Sequence, residues 1–325
     1  MANFKLFLAL AACLSGQALA APTKTVAKRA AISDVSLPTT LVYCLPVLYL
    51  TCHAGCPRLR QPERWHQRWC RRYYHHRLLL RPVHRAVSSD DAKIVIVDGT
   101  ITQEAKQVKV GSNTSIIGKD ANAILEGFGL LVKEKENVII RNLGVKKVLA
   151  DNGDAIGVQY SNNVWIDHCD VSSDRDHDKD YYDGLIDLTH AADYVTISNT
   201  FVHDHWKAML YGHSDSNGDE DTGHLRITVN NNYLNNLNSR GPSFRFGTGH
   251  IYNNYYLDGN VWEGGKKPLY STDEGYAVAR DNDFGDGENT APEGTLTSVP
   301  YEYDLLAASA VKAAVYGTAG QTLTF

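Results

Sequence analysis

The chain has 325 residues, with 32 Lys and Arg against 37 Asp and Glu and a formal net charge of −5. So small an imbalance, with no long basic run, excludes nucleic acid as a partner. Gly, Asn, Asp, Thr, Val and Ile dominate the second half and amphipathic helical runs are few there, which predicts one all-β domain.

Residues 1–20, MANFKLFLALAACLSGQALA, read as a secretory signal peptide. Lys5 supplies the positive start, Leu6 to Leu14 the apolar run, and Ala18-Leu19-Ala20 the small-residue cleavage site. That run is too short to span a bilayer, and no other stretch resembles a transmembrane helix. A soluble, secreted, extracellular protein with no membrane partner is expected, acting as a monomer. Lys28-Arg29 offers a second processing point, and Asn113-Thr114-Ser115 a glycosylation acceptor at Asn113.

Residues 21–87 form a propeptide or linker, and within it the stretch from about Leu37 to Val87 is foreign in composition. It is crowded with Arg, His, Trp and Cys, and holds four of the six cysteines, Cys44, Cys52, Cys56 and Cys70. In a secreted chain these suggest a two-disulfide knot. A zinc site with His53, His66, His75 and His76 fits no recognised spacing. A third reading is a shifted frame. With a permitted choice of codons, Arg72 to His84 moved by one nucleotide reads GTTTTVSSYAQFT, and the preceding stretch becomes a Gly-rich linker. On that reading the segment is non-native, is not expected to pack, and its cysteines have no designed role.

From Ser88 to Phe325 the chain is regular. Short apolar runs recur at Ala92–Thr100, Thr114–Lys119, Gly129–Lys133 and Asn137–Asn142. Aligning Val138, Val164, Val195, Ile227 and Ile251 gives spacings of 26, 31, 32 and 24 residues. Such a period, with short strands and polar loops, predicts a solenoid of stacked parallel strands. Strand alternation puts Val138 and Ile140 inside, with Ile139 and Arg141 outside. Asn142, Asn199, Asn231 and Asn254, with His168, are expected to stack at one corner and bond the turns. A β-sandwich is the alternative, although its strands recur at a shorter spacing of about 8–12 residues.

Acids crowd the stretch Asp167 to Asp187. Asp174, Asp176, Asp178 and Asp180 read as a solvated loop. Asp183 and Asp187 flank the strand-like Gly184-Leu-Ile and share a face. With Asp154 on an adjoining coil they form an all-oxygen set that suits calcium, although the spacing is not an EF-hand. Later come the bases Lys207, Arg240 and Arg245, which on pattern alone could be solvated cations. His203-x-His205 lacks an evident third zinc ligand.

Together these residues reach a family. NGDAIGVQ, NVWIDHCDVSSDRDHDKDYYDGLIDLTH, HDHWKA, GHSDSN, DTGHLRIT and NSRGPSFRFGTGHIYNNYY resemble a fungal pectate lyase of polysaccharide lyase family 1, as do VKVGSNTSIIGKD upstream and KPLYSTDEGYAV downstream. The likeness runs from about Ser88 to Ser298. It implies a right-handed parallel β-helix and calcium-dependent β-elimination of polygalacturonate to unsaturated oligogalacturonides. Asp154, Asp183 and Asp187 match its calcium ligands. Arg240 matches the catalytic arginine, with Pro242 and Arg245 completing the motif, and Lys207 matches a lysine that, with Arg245, binds substrate. Arginine is an unusual base, with a pKa above about 12 in water. Cationic neighbours make its neutral form less unfavourable, so an alkaline optimum is expected. Rival readings are a pectin lyase acting on methylated substrate without calcium, and an inactive or polysaccharide-binding β-helix.

Three departures from the family stand out. Asn152 replaces a further aspartate, the N-terminal stretch is foreign, and about one coil is expected to be missing near residues 257–266, where Leu257-Asp-Gly-Asn-Val-Trp-Glu-Gly runs almost straight into Lys267-Pro-Leu-Tyr270.

Overall fold

The structure is a computed structural model that describes residues 41–44, 80–257, 269–271 and 275–325. The signal sequence, the Lys28-Arg29 pair, the cysteines at 52, 56 and 70, and residues 258–268 lie outside the described residues. Two compact units divide the chain: Leu37–Leu296 with Leu305–Phe325, which holds every element described below, and Met1–Ser36 with Thr297–Asp304.

From Lys93 onward the chain visits three sheets in rotation, so each lap adds one strand to each. The first sheet stacks Lys93–Val97, Thr114–Gly118, Glu136–Arg141, Asn162–Asp167, Asp193–Ser198, Arg226–Asn230 and Thr248–Tyr252. The second runs from Ile101–Thr102 to Tyr255–Leu257, and the third from Val108–Val110 to Ser243–Phe244. Neighbouring named strands pair parallel throughout, which makes the fold a parallel β-helix and not a sandwich.

The inward positions of the first sheet explain why it stacks. Val138, Ile140, Val164, Ile166, Val195, Ile197, Ile227 and Val229 are all buried in one core. Each such side chain contributes up to about 1.5–3 kcal/mol of burial. Val138, Val164, Val195 and Ile227 are direct neighbours, as their spacing predicts. The last rung differs. Ile227 pairs with Gly249 and Val229 with Ile251, so the match to Ile251 was two residues off.

Tight corners need left-handed backbone, which Asn and His adopt more readily than most residues. Asn142, His168, Asn199, Asn231 and Asn253 share positive φ at the exit of the first sheet. Asn253 therefore extends the corner stack in place of Asn254. The Asn254 Oδ1 instead accepts the Asn232 N–H at 2.9 Å. Asn142 is fully buried and donates from Nδ2 to the Gly118 carbonyl at 2.8 Å.

Two elements precede the expected domain start at Ser88. Helix Leu80–Val87 puts Val83 and Val87, one helical turn apart, into the core at 1% and 0% exposure. Strand Leu41–Cys44 pairs parallel with Lys93–Val97. Both elements pack because the first rung leaves its apolar edge uncovered without them.

At the other end, helix Ala308–Val315 lays Val311 and Val315 on Tyr233, Phe201 and Tyr255, which stack along the outside of the second sheet. The tail then runs back over the corners. Gly320 N–H donates to Asn199 O, Leu323 N–H to Asn142 Oδ1, and Phe325 N–H to Lys119 O. Arg141, outward as expected, is 8% exposed because Phe325 and Trp165 cover it.

Candidate active site

The predicted site residues lie along the turn from the second sheet into the third and on the third sheet itself, with Asp187 inside strand Ile186–Thr189 and Arg245 just past Ser243–Phe244. Main-chain bonds link successive rungs there: Ala155 N–H to Gly184 O, Leu185 N–H to Ala208 O, and Ala208 N–H to Ser239 O. Asp154 therefore stands one rung before Asp183 and Asp187, which precede Lys207, which precedes Arg240 and Arg245. Rungs of a parallel stack lie about 4.8 Å apart, so all six share one short strip.

Asp154 and Asp187 are brought together. Asp154 Oδ1 accepts the Gly184 N–H at 3.1 Å, and Asp187 Oδ1 accepts the Leu210 N–H at 3.1 Å. Gly184 is required here, since a Cβ on it would sit 2.3 Å from Asp187 Oδ1. Gln107, three rungs back from Asp187, braces the pair by donating from Nε2 to the Asp154 carbonyl at 2.9 Å. Burial first, then the charge of Asp183, raises Asp154 to about 6. Burial and the Asp154 charge push Asp187 well above the carboxylate range, and Arg240 pulls the other way.

Asp183 stands apart. Its side chain is 41% exposed and lies 3.9 Å from Lys207 Nζ. The three carboxylates therefore do not form a closed metal cage as they stand, and none is found among the described residues. Nonetheless the donor set is all oxygen, and the half-buried Asp154 and buried Asp187 repel one another, offset by Arg240. Such a pair fits a hard divalent cation.

The bases are held by acids of their own. Lys207 Nζ lies 3.1 Å from Asp180 Oδ1. Asp180 was expected to be merely solvated; the loop folds it back onto the strip. That loop is pinned by Trp206, whose Nε1–H donates to His177 O at 2.9 Å, while the Arg175 guanidinium stacks 4.6 Å over the Trp206 ring. Arg240 takes positive φ, +61°, next to a cis Gly241–Pro242 bond. A left-handed arginine is strained, and strain of this kind clusters at functional sites. Arg245 pairs with Asp215 and donates from Nη1 to Gly212 O at 3.1 Å. A Cβ on Gly212, at φ +82°, would sit 2.8 Å from Arg245 Cβ.

Sequence reasoning missed Gln107, Gly184, Asp180, Trp206 and Asp215 as parts of this strip. Asp180, Gly184, Trp206 and Asp215 each lay within a quoted family motif, with no role attached to them, whereas Gln107 lay in none. Of the remaining predicted positions, Asn113 is exposed at φ +54°, and Asn152 lies in the short turn before Asp154, where its carbonyl accepts the Gln107 N–H. His203 bonds Asp170 and Asp204.

With this geometry in hand, the comparisons with known proteins are specific. A family model described as pectate lyase matches residues 86–298. A probable pectate lyase A from Aspergillus flavus is 78% identical over 341 residues, covering 100% of both chains. Pectate lyase A of Aspergillus niger is 63% identical over 350 residues, again covering 100% of both. Among solved structures, a Bacillus sp. N165 pectate lyase in complex with trigalacturonate matches with a TM-score of 0.64 and 32% identity, covering 71% of this chain and 86% of that one.

Proposed function

This chain belongs to the pectate lyase family, a group of polysaccharide lyases, and from that premise we propose that it is a secreted enzyme cleaving polygalacturonate by calcium-dependent β-elimination with Arg240 as the base. One observation carries the reading: two acids, the half-buried Asp154 and the buried Asp187, sit side by side with the positive charge of Arg240 acting on Asp187. The solved relative's trigalacturonate supports the substrate class.

Asp154, Asp183 and Asp187 would hold the calcium, and its positive charge would acidify the C5–H bond of a bound uronate. Lys207 and Arg245 bind further uronate carboxylates, giving up contacts to Asp180 and Asp215 for contacts to substrate. Arg240, in neutral form, takes the C5 proton. The electron pair of that bond forms the C4–C5 double bond as the C4–O4 bond breaks, and a proton reaches the departing oxygen. Holding the sugar against a fixed base removes most of the entropic barrier to that step. Asn113 is exposed and serves as the glycan acceptor of the secreted form. No helix among the described residues is long and apolar enough to cross a membrane, and the enzyme works as a monomer.

The test follows the ultraviolet absorbance of the unsaturated product on polygalacturonate and on methylated pectin, with and without a chelator. Activity on polygalacturonate that the chelator abolishes is expected. Chelator-resistant activity on methylated pectin would make the protein a pectin lyase. Substituting Arg240→Lys is expected to lower kcat by at least about a thousandfold while oligogalacturonate binding, measured by calorimetry, is retained. Substantial turnover in that variant removes Arg240 from its role.

A further inference from the structure

Strand Phe201–Lys207 carries an anomaly two residues before Lys207. His205 is 1% exposed, and neither ring nitrogen has a hydrogen-bond partner among the described residues. The residue beside it on the next rung is Leu237, 3% exposed in the same core. An apolar side chain therefore fills this place in the stack without difficulty. A buried imidazole with two unmatched polar atoms is less stable there than leucine. A local choice that works against folding is the mark of a functional position.

What surrounds the ring says which function. The left-handed Asp204, φ +49°, bends the strand and turns His205 inward. The Leu185 N–H bond to Ala208 O sets the Asp183 peptide opposite the end of this strand on the preceding rung, where its carbonyl can serve as an acceptor, and the charges of Lys207, Asp183 and Arg240 act on the ring. Asp154 and Asp187 are already paired, whereas Asp183 is turned toward Lys207. To complete a cation's ligand set, only the Asp183 side chain has to swing. His205 is the buried side-chain donor beside the peptide from which that carboxylate hangs.

We propose that His205 is a positioning residue that seats Asp183 for the cation, by donating its ring N–H to the Asp183 carbonyl as the carboxylate leaves Lys207. The inference rests on the calcium reading above.

A core filler and a positioning residue respond differently to substitution. Two variants, His205→Leu and His205→Gln, are to be compared with the unsubstituted protein by calorimetric calcium titration at neutral pH and by thermal melts in chelator. His205→Leu is expected to bind calcium at least about tenfold more weakly while its metal-free melting temperature is unchanged or higher. His205→Gln, which keeps an N–H donor, is expected to regain most of the affinity. If His205→Leu binds calcium as tightly as the unsubstituted protein, the proposal fails and the calcium reading stands. If both variants lose affinity and melting temperature together, His205 is structural and the proposal again fails. If the unsubstituted protein binds no calcium, the calcium reading falls and this proposal with it.

Discussion

Asp154 and Asp187 set folding against chemistry. The half-buried Asp154 and the buried Asp187 repel across adjoining rungs, and each carboxyl is pushed above its ordinary value. The raised pKa of Asp154 fixes the sign of the pH dependence. A carboxyl that is more basic folded than unfolded contributes stability in full below its unfolded value near 3.8. That contribution is lost as pH rises through about 6. Metal-free protein is therefore expected to lose stability across this window, and bound calcium to restore it. Replacing Asp187 with Asn ends the repulsion at neutral pH. Melts in chelator should show the variant more stable by roughly 1–3 kcal/mol, and calorimetry should show calcium binding lost. A variant less stable than the parent in chelator would mean that the Leu210 N–H bond to Asp187 outweighs the repulsion. Asp154, Asp187 and Arg240 could be singled out in the sequence because the family resemblance attaches a role to each. Asp180 and His205 were not. The first reaches Lys207 only by a loop folding back, and the second is distinguished only by what Leu237 does on the next rung.

At the scale of the strand, the first sheet is held on its outer face by a polar hub centred on Asp167. This carboxylate accepts from Ser198 Oγ at 2.7 Å, Asn199 Nδ2 at 2.9 Å and His168 Nδ1 at 2.8 Å. Arg141 Nε also lies 2.9 Å away, without the angle of a good hydrogen bond. Burial pushes Asp167 up, but the bond from His168 and the other donors leave it below its ordinary value. Three rungs are thus tied through one side chain. Replacing Asp167 with Ala strands a buried guanidinium and several donors, and is expected to cost about 3–5 kcal/mol in chemical denaturation. A loss below about 1 kcal/mol would reduce the hub to surface decoration. The repeat itself was readable because its apolar pairs recur on four successive rungs. It misled at the fifth, where Gly249 has no side chain to mark the register. The Phe244 ring takes that space, since a Cβ on Gly249 would lie 2.8 Å from Phe244 Cε2. A substitute from another strand leaves no trace in the local pattern.

A solenoid is only as stable as its ends, because each rung is covered by its neighbours. Helix Leu80–Val87 closes the first end with Val83 and Val87. The last rung of the first sheet is less well served: Ile251 is 42% exposed, whereas its neighbour Val229 is fully buried. The alignment to the Aspergillus flavus relative runs over 341 residues against 325 in this chain, so sixteen positions have no counterpart here. The coil expected to be missing after Tyr256 would account for them, since with the residues between Leu257 and Leu269 they make up one lap. Grafting the relative's sixteen positions into that stretch should cover the end of the stack. Burying Ile251 alone contributes about 1.5 kcal/mol, and each kcal/mol raises Tm by about 2–4 °C in a body of this size. The graft is therefore expected to raise Tm by several degrees. It should also slow amide exchange in Thr248–Tyr252 while leaving Lys93–Val97, at the far end, unchanged. Equal protection of Thr248–Tyr252 with and without the graft would mean that the end is already covered, and that no coil has been lost.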